Sequence, residues 1–184
     1  MMKIRTIKSA FLSAILLFVA VLLQGQSPGL VIPFGHVQGI SSAAFSPNGQ
    51  FVLTGGQDGT AKLWDLKGRL LQTFEAKAPV MAVAFSPDGK TVLAGSTDHT
   101  AKLWDITGPE RQSFVGHDSW VEAVAFSPDG TTILTGSTNG TVKLWDMNGN
   151  ALQTIGIQSD GVTAVRAVAF SPDGRTFLIG GGEL

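Results

Sequence analysis

Three features of this 184-residue sequence predict an all-β fold made of repeated four-stranded antiparallel units. A 22-residue block at residues 125–146, AFSPDGTTILTGSTNGTVKLWD, recurs at residues 44–65 and 84–105, and those two earlier copies agree at 15 of 22 positions. The AFSP tetrapeptide starts at Ala44, Ala84, Ala125 and Ala169, giving a period of 40, 41 and then 44 residues, the range of stacked or circular repeat architectures. The composition is 43% apolar and 15% charged and is rich in Gly, Thr and Val, which favours short strands and turns; no long segment of helical periodicity follows residue 25.

The first element in chain order is not part of a repeat. Residues 1–8 carry Lys3, Arg5 and Lys8, and residues 10–23 (AFLSAILLFVAVLL) are apolar apart from Ser13. A basic flank, a short apolar run and a polar Gln-Gly-Gln-Ser-Pro stretch have the layout of an export signal, predicted as a hydrophobic helix over residues 1–26. Cleaved, it leaves the repeats periplasmic or extracellular; uncleaved, residues 10–23 anchor them to a membrane, the one membrane contact expected.

The repeats occupy residues 27–184. In the third copy, residues 120–126 (WVEAVAF) form a strand that stops at Ser127-Pro128-Asp129-Gly130, because Pro presets the φ of a turn and Gly supplies the reversal. Residues 132–137 form the second strand, Thr138-Asn139-Gly140 a tight turn, residues 141–146 the third strand and residues 151–155 the fourth. A four-stranded sheet of this size needs both faces covered, and radial packing around an axis does so while leaving short edges. The arrangement predicted is therefore a β-propeller, with blades at about 37–75, 77–116 and 118–156 and a partial one at 162–184; a linear solenoid is the alternative.

The pairs Trp64-Asp65, Trp104-Asp105 and Trp145-Asp146, with Gly35-His36 and Gly116-His117 upstream, resemble the WD-repeat family of propellers over about residues 30–184. The resemblance implies a buried tetrad of His, Ser or Thr, Asp and Trp in each repeat. The first repeat has His36, Thr54, Asp58 and Trp64; the third has His117, Thr135 and Trp145, with Asn139 in place of Asp; the second keeps only Asp98 and Trp104, with Ala76 and Ala94 for the other two. Tightness is expected to fall from the first repeat to the second. Residues 30–34 are similar to the outer strands and are implied to close the ring.

Aligned on AFSP, Gly180 stands where Gly95 does and the fourth repeat holds two strands. The expectations are a fragment of a larger propeller, two copies that associate through open blade edges, or a compact four-bladed ring.

Catalysis is not expected. His36, His99 and His117 are the three histidines, and none has a second His or carboxylate at ligand spacing, so neither a metal, a cofactor nor a general base is predicted. Nucleophile elbows and phosphate-binding loops are absent from the sequence, and its Gly pairs follow the repeat period. Net charge is −1, and −4 beyond residue 26 (10 basic against 14 acidic), which argues against nucleic acid. Lys62, Lys102 and Lys143, one per third strand, are expected at a solvated surface. Trp120 departs from its repeat equivalents Gly39, Pro79 and Ala164, and with Asp118, His99 and Gln57 it is the candidate rim for a protein or peptide partner. The function expected is a non-catalytic interaction scaffold; the alternative is the propeller part of a larger exported enzyme or sensor.

Overall fold

The computed structural model describes residues 20–21, 29–30, 35–157 and 164–182. Most of the predicted signal segment and residues 31–34 lie outside them; β1 (Ala20–Val21) pairs antiparallel with β2 (Gly29–Leu30). The described residues contain strands and turns and no helix.

Three four-stranded antiparallel sheets follow in chain order. The first contains β3 (Ile40–Phe45), β4 (Phe51–Gly56), β5 (Thr60–Asp65) and β6 (Leu70–Glu75). The second contains β7 (Val80–Phe85), β8 (Thr91–Ser96), β9 (Thr100–Asp105) and β10 (Glu110–Val115). The third contains β11 (Val121–Phe126), β12 (Thr132–Ser137), β13 (Thr141–Asp146) and β14 (Ala151–Gly156). A two-stranded sheet of β15 (Ala164–Phe170) and β16 (Phe177–Gly182) completes the described chain.

Each turn has a chemical cause. In the AFSP turns, Ser46, Ser86, Ser127 and Ser171 donate a side-chain hydrogen bond to Asn48, Asp88, Asp129 and Asp173, and the same serine oxygen accepts the amide of the next strand's first residues. The Asp of each Trp-Asp pair works outside the core: Asp65 accepts from the backbone amides of Lys67 and Arg69, and Asp146 from those of Asn148 and Asn150. In the second sheet Pro109 has no amide to give, and Asp105 faces Arg111 at 3.3 Å instead.

The core lies between sheets. The first strand of each sheet packs on the first two strands of the sheet before it. Phe74 of β6 meets Trp104 of the second sheet at 5.6 Å between ring centroids, and Phe114 of β10 meets Trp145 of the third at 5.8 Å. Leu53, Leu93 and Leu134 are fully buried at these contacts. Outer strand β14, whose residues 151–154 are exposed, has Ile155 at the corresponding place, against the two-stranded sheet.

Candidate functional site

The polar centre of the first sheet is a hydrogen-bonded chain. Trp64 Nε1–H donates to Thr54 Oγ1 at 2.8 Å, the Thr54 hydroxyl donates to His36 Nε2 at 2.8 Å, and His36 Nδ1–H donates to Asp58 at 2.9 Å. Asp58 also accepts from the Thr60 hydroxyl at 2.7 Å and from the Val37 amide at 3.1 Å. Burial would raise the Asp58 pKa, but the bonds from Thr60, His36 and Val37 outweigh it and hold the carboxyl at about 2. A strand (β4), the loop before β3 and the turn before β5 thus become one unit.

The third sheet reaches the same end by a different last link. Trp145 donates to Thr135 at 2.8 Å, Thr135 to His117 Nε2 at 2.7 Å, His117 Nδ1–H to Thr141 Oγ1 at 3.1 Å, and Thr141 to Asn139 Oδ1 at 2.6 Å. Asn139 therefore joins through Thr141 and not directly to the imidazole. Burial first, and then the Lys143 cation, push the His117 pKa down to about 4, so the ring is neutral near pH 7.

The second sheet corrects one expectation. Lys102 is buried, only 8% exposed, and not at a solvated surface. With Ala76 and Ala94 in place of imidazole and hydroxyl, there is room for its chain, whose ammonium donates to the Ala76 carbonyl at 2.8 Å and to Asp98. Burial would raise the Asp98 pKa, but Lys102, Ser96 and Thr100 together lower it to about 2. Lys62 and Lys143 are half-buried. The sequence reading missed this ion pair because it took each lysine alone; the readable signal was two alanines replacing polar residues in the one repeat that keeps its Asp. It also missed the bonding role of Thr60, Thr100 and Thr141, present in all three copies two places after the turn Asp or Asn.

The rim candidates lie at one end of the sheets, where the first strands begin and the second turns into the third. Backbone bonds fix the correspondence: Gln57 donates its amide to Gly39, Thr97 to Pro79 and Thr138 to Trp120. Trp120 is 48% exposed there, and Gln57, His99 and Asp118 are exposed too. No cluster of three or more His, Asp or Glu suited to a metal occurs among the described residues.

Comparison with known families matches the WD domain, G-beta repeat, at residues 29–65, 68–105 and 108–146. The chain belongs to the WD-repeat family. Each matched WD repeat runs from the outer strand of one sheet through the third strand of the next, as 68–105 runs from β6 to β9. The repeat unit thus staples neighbouring blades covalently. Relatives include the Target of rapamycin complex subunit LST8 of Mus musculus, 37% identical over 65 residues (33% of this chain, 20% of LST8), and its counterpart in Bos taurus, 35% identical over the same length. The Ribosome biogenesis protein BOP1 homolog of Chlamydomonas reinhardtii is 45% identical over 51 residues, 27% of this chain and 6% of the relative. The chain spans about a fifth or less of the length of these relatives.

Proposed function

We propose that this WD-repeat chain is an exported, non-catalytic scaffold that holds a protein or peptide on the end of the blades bearing Trp120. The observation that carries the reading is Trp120 itself: 48% exposed, while Trp64, Trp104 and Trp145 are buried in the blades. An aromatic side chain left half in water on a rigid turn is a favoured interface anchor, since little entropy is lost when it docks. Asp118, His99 and Gln57 surround the same end with polar groups able to orient a backbone or side-chain partner. WD repeats are generally interaction platforms, and LST8, one relative, is named as a complex subunit; both agree with this reading.

Export rests on the basic residues 3–8 followed by the apolar run at 10–23. Deleting residues 1–26 is expected to retain the protein in the cytoplasm on cell fractionation; unchanged distribution contradicts export. For the binding face, peptides selected from a random display library on the immobilised chain are expected to weaken at least tenfold against Trp120→Ala. Binders indifferent to Trp120, Asp118, His99 and Gln57 alike would place the binding surface elsewhere.

A further inference from the structure

Neighbouring blades meet through a repeated knob and notch. A Cβ added at Gly55 would lie 2.6 Å from Val80 and 2.9 Å from Val83; at Gly95, 2.8 Å from Val121 and 2.9 Å from Val124; at Gly136, 2.4 Å from Val165 and 3.1 Å from Val168. The second strand of each blade therefore needs glycine so that two valines of the next first strand can press against its backbone. Those valines are three apart in sequence, yet they share a face because each first strand carries a bulge, between 80 and 82, 121 and 123, and 165 and 167. The leucine two places before each glycine, Leu53, Leu93 and Leu134, is sealed at 0% exposure.

The fourth blade repeats the notch with nothing in it. Gly180 has only Ala167 of its own sheet within reach, and Leu178, the counterpart of the three sealed leucines, is 77% exposed. At the other end of the described blades, β3 is a first strand with the same bulge, between 40 and 42, and its knob is uncovered. Ile40 is 36% exposed, whereas its counterparts Val80, Val121 and Val165 are at 0%; Phe45 is 41% exposed, whereas Phe85 and Phe126 are half-buried. Both surfaces stay open, so neither covers the other within one chain.

We infer that the face of the fourth blade around Leu178 and Gly180 receives β3 of a second copy of this chain, with Ile40 seated over Gly180. The contact is head to tail, a heterologous interface that uses a different surface on each copy. It does not rest on the partner-binding reading, since Trp120 takes no part in it.

The test is the mass of the full 184-residue chain by sedimentation at about 100 µM, with Ile40→Asp, Leu178→Asp and Gly180→Val variants shown folded by circular dichroism. Wild type is expected to associate, and each variant to dissociate at least tenfold more readily. Ile40→Asp and Leu178→Asp, mixed, should form a 1:1 heterodimer that stops there, because each retains the surface the other has lost, while Trp120→Ala should associate like wild type. A monomeric wild type, variants that associate as wild type does, or a mixture that stays monomeric would each overturn the inference; the first would leave the face to a strand from another polypeptide.

Discussion

His99 occupies a turn position with φ of 70°, where the other two repeats place Gly59 and Gly140 at 81° and 76°. A side chain in the left-handed region costs about 1 kcal/mol that glycine avoids, so His99→Gly is expected to raise the urea midpoint accordingly. Lower stability would mean that the imidazole anchors the turn. At His117 the folded pKa lies at about 4, below the ordinary 6.5, so folding excludes a proton that the unfolded chain binds. The sign is fixed: stability from this group is complete above pH 6.5 and declines as pH falls from 6.5 towards 4, by on the order of 2 kcal/mol after solvent screening. In His117→Gln the decline over that window should flatten, whereas an unchanged slope would assign it to other groups. Asp58 and Asp98, held at about 2, act at lower pH: their contribution stands above the usual carboxylate value and is lost as pH falls through about 2. Among the tryptophans, Trp64 bonds Thr54 and Trp104 faces Ala94 at the same register, so Trp64→Ala should cost more than Trp104→Ala by about 1 kcal/mol. Equal denaturant midpoints would refute the energetic role given to the hydroxyl.

At the scale of the strand, the second blade holds its third strand by the Lys102–Asp98 pair where the first and third use imidazole. Removing one member of a buried pair strands the other, so Lys102→Ala is expected to cost about 3 kcal/mol, more than Lys62→Ala in the first blade. The knob-and-notch contact predicts a second contrast. Gly136→Ala should destabilise by about 2 kcal/mol, since its Cβ would press on Val165 at 2.4 Å, while Gly180→Ala, with only the Ala167 Cβ at 3.3 Å, should be nearly neutral in thermal melts of the monomer. Similar losses at both glycines would mean that packing between blades is not what these residues serve.

Over the whole molecule, strand positions and turns were legible because Ser-Pro-Asp-Gly and the Asp-Gly or Asn-Gly turns punctuate runs of β-formers with few competing choices. The participants of the first polar chain were legible from the family resemblance. The Lys102 pair and the Thr141 relay were not, because they depend on what an absent side chain leaves room for, and that is a three-dimensional question. The glycine notches were equally hidden: Gly55 and Gly95 read as repeat punctuation until the next blade's valines lie on them. The account holds that letters shared between repeats specify architecture and that the irregular Trp120 serves binding. Comparing two variants tests this most directly, with stability and binding of display-selected peptides measured on both. Trp145→Phe, which loses the bond to Thr135, is predicted to lower the unfolding midpoint and leave binding intact, and Trp120→Ala to weaken binding at least tenfold at an unchanged midpoint. Trp120→Ala lowering the midpoint as much as Trp145→Phe while peptides still bind would contradict it.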